Sequence, residues 1–148
     1  MATNTTLQYL ETTGENALGA SVDLATASNR RQIETFLSGG TIPALSPVKF
    51  DVSATGSARA VTVVKTAGGG EPGIGIALKA ASSGDKVEVV VAGYVENAVS
   101  SGAISAGAYV QCTDGAVLAA TAGTNDLFGV ALEAAADDTV DMYVFKRF

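Results

Sequence analysis

The sequence predicts an all-β fold: a small β-sandwich or barrel built from two tandem repeat units, with an N-terminal arm and one short helix ahead of it. Three observations carry that prediction. From Thr41 onward, short β-branched runs alternate with Gly, Asp and Ser, the texture of brief strands and tight turns. The same blocks of sequence occur twice in the same order. Composition permits a real core: of 148 residues, 47% are hydrophobic and 16% charged, and a chain of this length buries roughly 70% of its unfolded surface on folding. Ala (26) and Gly (17) together exceed a quarter of the positions.

Residues 1–27 are rich in Thr, Ala, Asn and Gly and hold neither a period of two nor one of 3.6, which reads as an extended arm. The stretch from Ser28 to Gly40 predicts a helix of about nine residues. There Ser28 or Asn29 can cap, Asn29 and Gln32 have capping-box spacing, Ile33, Phe36 and Leu37 share a helical face, and Gly39-Gly40 supplies the stop. An arm plus helix over 1–38 and a β domain over 39–148 is the expected organisation. Strands are expected at Val48 to Val52, Ala60 to Lys65, Val87 to Ala92, Ala108 to Cys112 and Val140 to Phe145. Asp114-Gly115 marks a tight hairpin turn.

The repeat is explicit in the residues. Gly75-Ile76-Ala77-Leu78 with Ala80-Ala81 matches Gly129-Val130-Ala131-Leu132 with Ala134-Ala135, 54 positions on. After a one-residue gap, Val87 to Val91 matches Val140 to Val144. Upstream, Gly40-Thr41-Ile42 with Ala44 and Val48 matches Gly102-Ala103-Ile104 with Ala106 and Val110, 62 positions on. Two units, about 39–93 and 102–145, follow from these blocks. Neither could bury its apolar face alone, so the two are expected to pack together.

Charge and residue types narrow the function classes. Fifteen acids against nine bases give a net charge of -6, which repels a phosphate backbone, so no nucleic-acid partner is expected. There is no His, no Trp and one cysteine, Cys112, so His-dependent triads, His-ligated metals and an intrachain disulfide are excluded. Cys112 falls where the first unit has Phe50, which makes it a buried small hydrophobe. Gly68, Gly70 and Gly73 satisfy G-x-G-x-x-G, but Pro72 lies inside the motif and no helix of useful length follows, so a hairpin loop is the expected reading rather than a dinucleotide site. From Val87 to Phe145 there is no Lys or Arg. Asp137, Asp138 and Asp141 in that acidic half lack the spacing of a calcium loop and read as a solvated turn. No cofactor, no metal and no enzyme activity are expected. The longest strongly apolar run, Val89 to Val95, is far short of the roughly 20 residues that span a bilayer, so no membrane partner is expected. The start of the chain lacks the pattern of a secretory signal, which implies cytoplasmic synthesis.

At the repeated Gly-Ile/Val-Ala-Leu-x-Ala-Ala blocks, followed by Gly84-Asp85-Lys86-Val87 through Gly93, the chain resembles the decoration (cement) proteins of tailed-phage capsids. Ser28 to Phe36, Gly40-Thr41-Ile42 and Gly93-Tyr94-Val95-Glu96-Asn97 look like parts of the same family, so the resemblance spans about Ser28 to Phe148. Pro43-Ala44-Leu45-Ser46-Pro47 departs from the Ala-Gly turn of that pattern. The resemblance implies a structural virion protein, made in the host cytoplasm and commonly a homotrimer. It would sit on the outer capsid surface, with the major capsid protein as partner, and reinforce the shell. Isolated Leu7, Tyr9 and Leu10 in the arm and the basic pair Arg30 and Arg31 are the expected capsid or inter-subunit contacts. A tail-fibre or surface carbohydrate-binding β module is the alternative. An enzyme would need a mechanism built on carboxylates or Ser/Thr alone.

Overall fold

The computed structural model of the chain describes residues 31–121, 123 and 126–147. Nine strands form one sheet: β1 Arg31–Ser38, β2 Pro47–Phe50, β3 Thr62–Lys65, β4 Gly75–Ala77, β5 Lys86–Val99, β6 Tyr109–Cys112, β7 Val117–Ala119, β8 Gly129–Ala131 and β9 Thr139–Val144. Their order is β1-β3-β2-β4-β5-β9-β8-β6-β7. A single 3-10 turn, Gly56–Ala60, precedes β3. The all-β class is therefore as the sequence predicts.

The expected helix is not there: Arg31–Ser38 is strand β1. Its side chains follow a period of two, with Phe36 and Ser38 buried while Ile33 and Leu37 are about two-fifths exposed, at 38% and 40%. The apparent helical face of Ile33, Phe36 and Leu37 is thus split between the two faces of a strand. A nine-residue helix is marginal by itself, whereas β5 offers this segment an antiparallel ladder from Arg31↔Gly93 to Leu37↔Lys86. Tertiary pairing overrides the local capping signal.

That ladder also closes a ring. β1 pairs in parallel with β3 (Leu37↔Thr62, Ser38↔Val63) and antiparallel with β5, so β1-β3-β2-β4-β5 returns to its starting strand. Closure removes exposed sheet edges. Inside lie Phe36, Ile42, Val48, Val63, Ile74, Ala77, Ala81, Val87, Val89 and Val91. A second ring runs from the C-terminal part of β5 through β9, β8, β6 and β7. It is closed by a parallel bridge between Ser100 and Val117. Val95, Ala98, Ile104, Val110, Val117, Phe128, Ala131, Val140, Met142 and Val144 belong to its core. The 14-residue β5 serves both rings.

Backbone pairings recur at the spacings of the sequence blocks. Val48↔Lys65 and Phe50↔Val63 have counterparts in Val110↔Ala119 and Cys112↔Val117. Ile76↔Val90 has one in Val130↔Tyr143. Gly39 N donates to Val63 O at 2.9 Å, and Ser101 N to Val117 O at 2.8 Å. Leu45 N donates to Ala77 O at 2.7 Å, and Gly107 N to Ala131 O at 2.8 Å. Leu45 holds φ 59° where its counterpart Gly107 has φ 78°. The unusual Pro43–Pro47 segment therefore keeps the left-handed turn without glycine, at the steric cost of a branched side chain there. The Asp114-Gly115 hairpin forms as expected between β6 and β7, with Gly115 at φ 64° and Thr113 N donating to Ala116 O at 2.8 Å.

Gly68 to Gly73 is not a hairpin loop. It joins β3 to β4, which flank β2 on opposite sides, so the segment must cross the end of β2. Glu71 folds it down: Oε1 accepts from Lys49 Nζ at 2.6 Å and Oε2 from Ala67 N at 2.7 Å, and these bonds hold the carboxyl below the usual carboxylate range. Gly70 N donates to Cys112 O at 3.0 Å, tying the loop to the second ring. A Cβ on Gly73 would run into Cys112 Sγ and lie 2.9 Å from the Phe128 ring. Glycine is required here for close approach, not for phosphate.

Candidate interaction surface

Cys112 and Asp141, two residues with ordinary catalytic chemistry, are committed to the fold. Cys112 is buried, and burial pushes its thiol up to about 12. The neutral thiol is the form the core accepts. Stability drawn from it is intact below the ordinary value of 9.0 and is lost as pH rises towards the folded value. Ellman's reagent at pH 8 is expected to leave Cys112 unmodified in folded protein and to react at once in denaturant; prompt reaction without denaturant would contradict this placement. Asp141 bridges strands: Tyr94 Oη donates to its Oδ2 at 2.6 Å and Asn97 N to its Oδ1 at 2.9 Å. It thereby holds the bulge of β5 between Val95 and Ala98, where Asn97 takes φ 55°. Burial and the neighbouring Asp141, Glu96 and Glu133 charges raise the Tyr94 phenol well above its ordinary value. Asp137 and Asp138, at φ 50° and 59°, form the exposed turn before β9. Among the described residues no three acidic or thiol groups are grouped to hold a metal ion.

Leu7, Tyr9, Leu10 and Arg30 lie outside the described residues. Arg31 begins β1 opposite Gly93; it is half-buried, and its Nε is buried without a hydrogen-bond partner among the described residues. Arg147 is turned inward, with Nη1 3.1 Å from Asp126 Oδ1 and Nη2 donating to Leu127 O at 2.6 Å. Lys146 beside it is exposed.

A feature missed by residue-by-residue reading is the outer face of the second ring. Cross-strand pairing sets Tyr109 opposite Val130, Val130 opposite Tyr143 and Tyr143 opposite Tyr94. These four side chains form one row across β6, β8, β9 and β5. Tyr109 is 55% exposed, Tyr143 42% and the flanking Leu132 51%. Phe145 closes one side, its ring 6.2 Å from that of Tyr109. Every described tyrosine stands in this row. The corresponding row of the first ring is Pro47, Ile76 and Val90, with Leu78 in the place of Leu132. Pro47, Ile76 and Val90 are buried, and Ile76 and Val90 join the core of the second ring. The signal was available in the sequence: aligning the repeated blocks places Tyr109 on Pro47 and Tyr143 on Val90.

Of the two closed rings, the second thus carries an open aromatic face. Comparison with known proteins places the protein. The profile of the phage cement protein family matches residues 45–145, and the chain belongs to that family. It is a capsid-binding structural protein of a phage virion. The chain is similar in fold to the N base of head fiber gp8.5 of bacteriophage phi29, with a TM-score of 0.58 and 17% sequence identity over 78% of this chain and 94% of that one. No curated protein matches it.

Proposed function

We propose that this protein decorates the outer surface of the assembled capsid, binds the major capsid protein, and reinforces contacts between capsid subunits as a homotrimer without catalysing a reaction. The observation that carries this reading is the match to the phage cement family across 45–145, which includes most of both rings. The fold shared with a head-fiber base supports a position on the outside of the shell. Repetition in the target favours an oligomer, because each contact after the first is intramolecular. Synthesis in the host cytoplasm is part of the same reading.

Two tandem units, about 39–93 and 102–145, make up the body in this proposal, supported by the registers that recur at the spacing of the sequence blocks. Residues 1–27, through Leu7, Tyr9 and Leu10, together with Arg30 and Arg31, supply the capsid or inter-subunit clasp. Co-sedimentation with expanded capsids that lack the protein tests the reading. Saturable binding at a simple multiple of the capsid subunits, with raised heat resistance of the shell, is expected. Folded protein that stays in the supernatant at micromolar concentration would overturn it. Removing residues 2–24 is expected to weaken capsid binding or lower the oligomer mass; no change in either would sink the clasp.

A further inference from the structure

The covered and open rows pose a question of partner. On the first ring, Ile76 and Val90 are at 0% exposure because the second ring of the same chain lies on them. On the second ring the counterparts Val130 and Tyr143 have no such cover from the described residues, and Tyr109 and Leu132 beside them are more than half exposed. An aromatic centre with a charged rim is the usual make-up of a protein interface. Here the rim is acidic: Glu96, Glu133 and Asp141 all act on Tyr94 at one end of the row. A copy of the same face is therefore a poor partner, since like charges would meet.

Charge is divided unevenly along the chain. From Arg31 to Ala92 six bases stand against five acids, and from Gly93 to Phe148 two bases stand against seven acids. The division reaches equivalent positions: Lys79 of the first unit is matched by Glu133 in the second. The first ring also has an open apolar strip. Ile33 and Leu37 point outward from β1, and Leu37 is paired with the exposed Lys86. A shallow cavity beside them is lined by Thr35, Lys79, Ala80, Lys86, Val87 and Glu88, where two lysines outnumber one glutamate.

We propose that the Tyr94–Tyr143–Val130–Tyr109 row of one copy docks on the Ile33–Leu37 strip of a second copy of this chain, with Glu133 and Glu96 meeting Lys79 and Lys86. The contact is heterologous, so repeated head-to-tail docking closes into a ring if the rotation permits. It deepens the homotrimer of the preceding section by naming its two faces. The row is then covered between chains as its first-ring counterpart is covered within one.

Sedimentation of the full-length protein over a range of concentrations tests the contact. Wild type is expected to self-associate at micromolar concentration, less so at high salt. Tyr143→Ser, at an exposed central position, is expected to weaken association by about 30-fold or more, the loss of one strong interface anchor. Lys79→Glu and Glu133→Lys are each expected to weaken it by about tenfold. Combining the two changes in one chain should restore association, because the lysine introduced in each copy then meets the glutamate introduced in the next. Circular dichroism of each variant confirms that the fold is kept. A monomer at every concentration, association indifferent to all three single changes, or a double variant that fails to restore it would overturn the proposal. Capsid co-sedimentation separates this from the functional reading: a monomer that binds capsids defeats the docking and the homotrimer but leaves capsid binding standing, and an associating protein that ignores capsids defeats only the function.

Discussion

Gly75→Val and Gly129→Val are each expected to prevent the chain from folding, with a loss of more than about 4 kcal/mol, which is the range reserved for backbone and core disruption. The two glycines are counterparts, 54 positions apart, and each begins a three-residue strand, β4 or β8. A Cβ on Gly75 would meet the carbonyl oxygen of Val90 and Val89 Cγ1; on Gly129 it would meet the carbonyl oxygen of Tyr143 and lie 2.6 Å from Met142 Cε. The obstructing atom is backbone in both cases. It cannot rotate away, and moving it would break the β4–β5 or β8–β9 ladder on which ring closure depends. A typical domain has only about 5–15 kcal/mol in hand. Gly40→Ala is the control: nothing lies within 4 Å of the added Cβ, and the change is expected to stay within about 0.5 kcal/mol. Urea unfolding followed by circular dichroism reads all three. A cooperative transition at the wild-type midpoint for Gly129→Val would show that the ladder tolerates displacement.

Those glycines also show what the sequence made legible. Gly-Ile/Val-Ala-Leu was conspicuous as a repeated block, and the β-branched runs marked β2, β3, β6 and β9 to within two residues and the first part of β5, whose continuation to Val99 they did not mark. Local signals failed where a distant strand decided the outcome. Arg31–Ser38 has helix-like spacing, and Gln32 has capping-box spacing from Asn29, yet a 14-residue partner strand turns the segment into the closing strand of a ring. Gly68 to Gly73 looked like a hairpin because a hairpin needs only local residues; its true path depends on β2 lying between β3 and β4. The candidate surface was harder still. Single tyrosines in strands read as core or edge, and only the registers Tyr109↔Val130 and Val130↔Tyr143 align them into one face. The absence of His and Trp, by contrast, bounded the chemistry directly.

Phe128→Ala is expected to cost about 3–5 kcal/mol, the largest loss from any single side-chain truncation in the described chain. Phe128 is the largest of the fully buried side chains, at 0% exposure. Its position explains why the loss is not confined to one ring. The backbone is fixed on both sides, with Phe128 N donating to Val110 O at 2.8 Å and Phe145 N to Phe128 O at 3.0 Å. The ring meanwhile reaches the space left open by Gly73 in the crossing loop of the first ring. Truncation therefore opens a cavity where two rings meet, and the fixed backbone limits collapse into it. A partial truncation grades the cavity: Phe128→Leu, which removes fewer atoms, is expected to cost less than Phe128→Ala. Coupling locates the cavity. Gly73→Ala is expected to cost about 1–3 kcal/mol in the wild type, where its methyl meets Cys112 Sγ and the Phe128 ring. In the Phe128→Ala background it should cost less, because one of the two obstacles is gone, giving an interaction of about 0.5 kcal/mol or more in a double-mutant cycle. Strictly additive values would mean that the two residues do not touch, and that the loop is held to the second ring by hydrogen bonds such as that from Gly70 N to Cys112 O.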